Sequence, residues 1–136
     1  MSPAAPFAHP RYLPGAHGPY GQVDRIAGLQ IDAGGQVLPW VRDTVDPSAF
    51  HVEIPAGVTQ IEIRHQFLSA VSRDTGRVVM TREMLNLQWI SLVLYPAGYQ
   101  VDRIQVQPEV RLPAGWQQAS ALRVRAAGAA GAAGAA

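Results

Sequence analysis

The chain has no cysteine and no lysine, and all 11 of its Lys or Arg residues are arginines. The absence of cysteine excludes disulfides, thiolate zinc sites and cysteine nucleophiles. The arginines are scattered and the formal net charge is only +1, so the chain lacks the basic stripe typical of nucleic-acid-binding proteins. We therefore expect no nucleic-acid partner.

Long apolar runs are also missing. No run approaches the ~20 residues that a bilayer-spanning helix needs, so we expect no membrane span. Residues 1–7 lack the basic start and the apolar stretch of a signal peptide, which predicts no export signal in this chain and leaves its compartment unknown. With 136 residues, 48% of them hydrophobic and 15% charged, the chain has the size and composition of one globular domain.

The chain does contain short alternating patterns of apolar and polar residues. Apolar positions in Val23–Ile31, the turn Asp32–Gly35 and a short return strand at Gln36–Trp40 predict a β-hairpin, because paired glycines adopt positive φ at little cost. Two further strands are predicted at Phe50–Ile54 and Ile61–Phe67, on either side of a Pro-Ala-Gly turn.

The last alternation, Ile104–Leu112, predicts another strand, and Pro108 within it favours a sheet edge or a bulge. Several short strands between turn signals predict an all-β fold, an antiparallel β-sandwich. The domain is expected over residues 23–125, after an irregular segment, residues 1–22, rich in Pro, Gly, Ala and His. Residues 126–136 form an Ala/Gly low-complexity tail, which is either a flexible linker or the product of a frameshift in GC-rich DNA.

The side chains that could carry chemistry form no recognisable constellation. His9 and His17 lie among prolines without the further ligands that zinc needs, and a loop explains them better. His65 falls on the apolar face of its strand and is expected to be a hydrogen-bonded core histidine, whereas His51 alternates outward. No serine has the Gly-x-Ser-x-Gly surroundings of an activated nucleophile. We therefore predict no catalytic and no metal-binding residue in this chain.

Several phrases of the sequence resemble one family in wording and in order. The phrases are Tyr12-Leu13-Pro14-Gly15-Ala16-His17, Met84 through Trp89, Leu94 through Tyr99, and Leu112 through Trp116. The resemblance covers roughly residues 9–123 and is to the amino-terminal domain of the glycyl aminopeptidase family of zinc metallopeptidases. One departure is Tyr12, which stands where the family usually has Trp.

The resemblance implies a non-catalytic β-domain that packs against a thermolysin-like (gluzincin) catalytic domain. In the family that second domain carries His-Glu-x-x-His, whose histidines bind zinc and whose glutamate activates water. The motif is absent here, so we expect no cofactor in this chain, no enzymatic activity of this chain alone, and truncation before the catalytic domain. Family members are often exported to the periplasm or out of the cell.

The resemblance also implies a domain that lacks its first strands. We expect the sandwich to be incomplete at its N-terminal edge, and the resulting open sheet edge to favour self-association.

Aromatic and turn residues are the candidates for a domain interface or a substrate cleft. Those residues are Tyr12, Pro14, Gly15, His17, Trp89, Tyr95, Tyr99 and Trp116. The expected partner is the catalytic metallopeptidase domain, with peptide substrate touching the same surface. An alternative stays open, in which the chain is an autonomous β-sandwich that binds peptide or carbohydrate through these aromatics.

Overall fold

The computed structural model describes residues 4–15, 17–19, 21–71 and 78–123. Over these residues the fold is all-β, with short 3-10 turns and no α-helix. The strands are β1 (Ala4–Ala8), β2 (Ile26–Ala33), β3 (Gln36–Leu38), β4 (Trp40–Arg42), β5 (Ala49–Glu53), β6 (Glu62–Phe67), β7 (Val79–Met80), β8 (Leu85–Asn86) and β9 (Tyr95–Pro96). The 3-10 turns are Val23–Arg25, Trp89–Ser91 and Val101–Arg103. Within the described ranges, no helix is long and apolar enough to cross a membrane.

The strands form two antiparallel sheets and a small ribbon. The first sheet has the order β4-β5-β1-β9, the second sheet has the order β3-β2-β6, and the ribbon pairs β7 with β8. An isolated parallel bridge joins Ala70, just beyond β6, to Val79 of the ribbon. The ribbon is therefore paired with the segment that follows β6 rather than with a strand of the second sheet.

The β2–β3 hairpin follows from local sequence. Ala33 pairs with Gln36, so Gly34 and Gly35 make a two-residue loop. Both glycines have positive φ, 60° and 86°, as a type I′ turn requires. The Asp32 carboxylate accepts the Gly35 N–H at 2.9 Å and fixes the turn. The predicted hairpin is confirmed.

The chain crosses from the second sheet to the first at Pro39, and Trp40 ties the two together. Trp40 pairs with Val52 of β5, while its indole N–H donates to the Leu29 carbonyl of β2 at 3.1 Å. Its ring also meets that of Phe50 edge-on, with 5.4 Å between the ring centroids. The Trp40 side chain thus contacts both sheets at the crossing, through a hydrogen bond to one and ring packing against the other.

The two sheets share one apolar core, which confirms the β-sandwich. Phe7 and Val52 of the first sheet pack with Ile31, Ala33 and Leu38 of the second. Ile31 is fully buried and Val52 is 2% exposed. Burial of apolar surface is the main favourable term in folding, at about 25 cal/mol per Å². The sheets therefore stabilise each other face to face.

Both strands predicted around the Pro-Ala-Gly turn are present, as β5 and β6, but they lie in different sheets. In β6 the odd-numbered residues from Ile63 to Phe67 are half-buried and the even-numbered ones are exposed. The alternation therefore predicted the faces of the strand correctly.

The prediction of irregular structure for residues 1–22 was wrong at β1. Strand β1 lies inside the first sheet, paired with β5 on one side and β9 on the other. Its sequence, Ala4–Ala8, has no alternation and contains Pro6, so the strand depends on its neighbours rather than on a local signal. Among the described strands, the edges of this sheet are β4 and β9, not the amino-terminal strand.

The prediction of a strand over Ile104–Leu112 was also wrong. Residues from Gln105 onward form a second compact unit, and its described part, residues 105–123, contains no strand. Pro108 cannot donate to a ladder, and Val106 is 75% exposed. An alternation without a pairing partner and without a face to bury does not make a strand.

The predicted Ala/Gly tail, residues 126–136, lies outside the described residues. The division of the chain at residues 22 and 125 stays a prediction.

The shared core predicts a sharp difference between two β-branched residues. Ile31→Ala should lower the free energy of unfolding by about 2–5 kcal/mol, because it leaves a cavity between the sheets. Val37→Ala, at a position 58% exposed on the neighbouring strand, should change it by less than about 0.5 kcal/mol. Urea denaturation measures both, and equal effects would contradict the assignment of the core.

Candidate interaction surface

The loop after β1 carries four of the predicted interface residues. All four are exposed: Tyr12, Pro14, Gly15 and His17. The base of the loop is closed by the Gly21 N–H, which donates to the Arg11 carbonyl at 2.9 Å. A Cβ at Gly21 would clash with the Pro10 carbonyl oxygen, so glycine is required for this close approach. The loop is therefore exposed on a fixed base.

The predicted aromatics have different surroundings. Tyr95 is half-buried in β9 and pairs with Ala8 of β1, and Trp89 is half-buried in a 3-10 turn. Tyr99 is 69% exposed. Trp116 is half-buried in the second unit. The structure thus anchors Tyr95 on β1, shortly before the loop of Tyr12, and leaves Tyr99 open to solvent.

Residues 89–93, here called the bridging segment, are held by two histidines. His9 Nε2 lies 3.1 Å from the Ser91 carbonyl oxygen, and His65 Nε2 lies 2.9 Å from the Leu92 carbonyl oxygen. His65 makes the expected hydrogen bond, but the residue is half-buried rather than part of the core. His9, for which a loop was predicted, is fully buried.

An apolar cleft of about 380 Å³ opens beside the bridging segment. It lies where β6, the ribbon and the bridging segment face one another. The residues that line it are His65, Phe67, Ser69, Val78, Met80, Leu85, Leu87 and Leu92. A cleft of this size and lining is suited to apolar side chains rather than to a charged ligand.

Exposed apolar side chains lie on the backbone segments that form this cleft, and we call them the rim. The rim consists of Leu68, Val71, Met80 and Met84, which are 57%, 83%, 48% and 43% exposed. The segments that carry them are paired, because Ala70 bridges to Val79 and Met80 pairs with Leu85. Of the four residues, Met80 also lines the cleft. An apolar cleft with an exposed apolar residue in its lining is a candidate interaction site.

Sequence reasoning missed the cleft and its rim. The two-residue spacing of Leu85 and Leu87 was the available signal, because residues two apart lie on the same face of a strand. The strands of the ribbon are only two residues long, too short for periodicity to predict.

Asp43, a half-buried residue in the loop between β4 and β5, stabilises the backbone of that loop. The Asp43 carboxylate accepts N–H groups of Asp46 and Val45 at 2.8 and 2.7 Å. Its second oxygen lies 2.7 Å from His51 Nε2. These contacts, with the Asp46 amide first and the His51 ring second, lower the pKa of Asp43 to about 2. His51, expected on the surface, is thus part of a loop-stabilising pair.

Comparison with known families decides what kind of domain carries this surface. Residues 2–133 match the model of the peptidase M61 N-terminal domain. The chain belongs to the peptidase M61 N-terminal domain family. Peptidase M61 is the glycyl aminopeptidase family, so the resemblance stated from the sequence is confirmed at the level of the family. No curated protein sequence matches the chain.

As an M61 N-terminal domain, the chain is not the catalytic part of its peptidase. The residues that the structure describes contain no group of three or more His, Cys, Asp or Glu side chains that could hold a metal ion.

The Asp43 loop predicts how stability depends on pH in this M61 domain. Since its pKa is lowered from 3.8 to about 2, ionised Asp43 stabilises the fold fully above pH 3.8, and this contribution is lost as the pH falls toward 2. The melting temperature of the wild type should therefore exceed that of Asp43→Asn at pH 6, and the gap should narrow between pH 4 and pH 2.

His51→Gln serves as the matched variant, since it removes the ring and leaves both backbone contacts. It should produce a smaller gap at pH 6 than Asp43→Asn does. A gap for Asp43→Asn that is the same at pH 2.5 and pH 6 would contradict the assignment.

Proposed function

We propose that this M61 domain is a non-catalytic docking domain that packs against the zinc-dependent catalytic domain of a glycyl aminopeptidase. Its docking surface is the apolar cleft with its rim. The observation that carries the proposal is the apolar lining of the cleft, which includes the exposed Met80. Membership of the family supports a peptidase domain as the partner.

The shape of the surface suits a protein partner. The cleft has a volume of about 380 Å³, and the segments that form it carry further exposed apolar side chains. Protein interfaces have such an apolar, well-packed centre, while charged residues are depleted there. None of the cleft-lining or rim residues is an Asp, Glu, Lys or Arg.

In this role the domain shapes the boundary of the active site from outside the catalytic centre. The loop residues Tyr12, Pro14, Gly15 and His17 are exposed on their fixed base and are proposed to reach bound peptide. Zinc binding and water activation belong to the partner domain. The proposed role of this chain is therefore to bound and position the active site, and not to react with the substrate.

The test is binding of this chain to a separately produced catalytic domain from an M61 peptidase, measured by isothermal titration calorimetry. We expect a one-to-one complex. Met80→Glu should weaken it at least tenfold, or about 1.4 kcal/mol, because the variant would bury an unpaired carboxylate in the interface. Light scattering before each titration fixes the oligomeric state, since an open sheet edge predicts self-association.

Val37→Glu is the matched control. Val37 is 58% exposed against 48% for Met80, and it lies on β3, across β2 from the β6 edge. This variant should change the dissociation constant by less than about twofold. Equal weakening by both variants would show that the interface does not lie at the cleft.

A different result would replace the proposal. If the catalytic domain does not bind while a peptide or oligosaccharide saturably quenches tryptophan fluorescence, the chain is an autonomous ligand-binding module. Tyr12 and Tyr99, the exposed aromatics, would then be the first residues to substitute.

A further inference from the structure

The bridging segment is attached by histidines that come from two different sheets. His9 directly follows β1 of the first sheet, and its backbone N–H donates to the Ser48 carbonyl at 2.9 Å. His65 belongs to β6 of the second sheet. Their Nε2 atoms lie 3.1 and 2.9 Å from the carbonyl oxygens of the adjacent residues Ser91 and Leu92. Two sheets therefore hold two successive peptide groups.

The chemistry of these contacts fixes the form of both rings. A carbonyl oxygen can only accept, so the proton must be on Nε2 in His9 and in His65. Each Nδ1 is buried and has no partner among the described residues. The Nε2–H bond is thus the polar contact that orients each ring. Breaking it inside the protein leaves a donor and a carbonyl without partners, which is costly.

The other backbone bonds of the bridging segment are internal to it or local. The N–H groups of Leu92 and Val93 both donate to the Trp89 carbonyl, at 2.9 and 3.2 Å. The Ser91 N–H donates to the Gln88 carbonyl at 3.0 Å. These bonds give the segment its own shape, and the histidine bonds join it to each sheet.

The segment also forms part of the cleft, because Leu92 lines it together with His65. The Ser91 carbonyl, which His9 contacts, belongs to the peptide group that joins Ser91 to Leu92. This peptide group therefore links one wall of the cleft to the residue that follows β1.

We propose that the bridging segment is a conformational link between the two sheets, and that His9 is a positioning residue for the cleft although it does not line it. The link works in both directions. Release of the Ser91 carbonyl loosens Leu92, and release of the Leu92 carbonyl loosens Ser91. This link requires no partner domain, so it can be tested on the chain alone.

Amide hydrogen exchange with four histidine variants tests the link. His9→Leu removes the donor at similar volume, and it should speed exchange of the Leu92 and Val93 amides by about tenfold relative to the amides of the β2–β6 ladder. His65→Leu should do the same to the Ser91 amide. His9→Gln and His65→Gln keep an N–H donor near the Nε2 position and should restore most of the protection.

His51→Gln is the control histidine variant, because His51 contacts Asp43 and not the bridging segment. It should leave the Ser91, Leu92 and Val93 amides unchanged. Acceleration limited to the peptide group that each histidine contacts would overturn the proposal; that is the Leu92 amide in His9→Leu and the Val93 amide in His65→Leu. Equal acceleration by the Leu and Gln variants would overturn it too.

If a Leu variant does not fold, exchange in the wild type decides the question. The Ser91, Leu92 and Val93 amides should then open as one unit, with a common dependence on denaturant concentration. Separate openings for Ser91 and Leu92 would show that the two histidine contacts act independently, and would overturn the proposal as well.

Discussion

The apolar contact between the two sheets is the constraint on which the rest of the structure depends. Ile31 and Val52 lie at its centre, fully buried and 2% exposed. Because the chain contains no cysteine, no disulfide can support this contact, and the packing must hold the sheets together. The segments that pass between the sheets therefore contribute to it. Trp40, Ile54, Val58 and Ile61 all pack against the core cluster.

Local signals predicted those elements whose geometry is decided locally. The β2–β3 hairpin needs two residues with positive φ, and Gly34 and Gly35 supply them. The faces of β6 follow from simple alternation. Strand β1 could not be predicted in this way, since Ala4–Ala8 has neither alternation nor β-branched residues. Its pairing with β5 and β9 is supplied by residues about 40 and 90 positions away, and tertiary pairing overrides weak propensity.

The opposite error at Ile104–Leu112 has the same physical origin. That segment has the period of a strand, but a period states only which residues share a face. Without a neighbouring strand to accept its N–H groups and a surface to cover its apolar side, nothing stabilises the extended ladder. For the interaction surface, Tyr12 and Tyr99 are exposed, and the choice of candidate residues stays a prediction. The cleft was missed because it is assembled from four separate segments, each too short to carry a pattern.

The exposed aromatics lie on separate loops, whereas the rim residues lie on paired segments beside a cleft. This difference distinguishes ordinary surface from a candidate docking surface. Singly exposed apolar residues are normal on soluble proteins, and Tyr12 and Tyr99 belong to different loops. The rim residues lie on segments that backbone pairing joins, through the Ala70–Val79 bridge and the Met80–Leu85 pair, and Met80 also lines the cleft. A surface that is preformed in this way loses little conformational entropy on binding. Preorganisation, rather than aromatic content, is thus the stronger reason to place the proposed interface at the cleft.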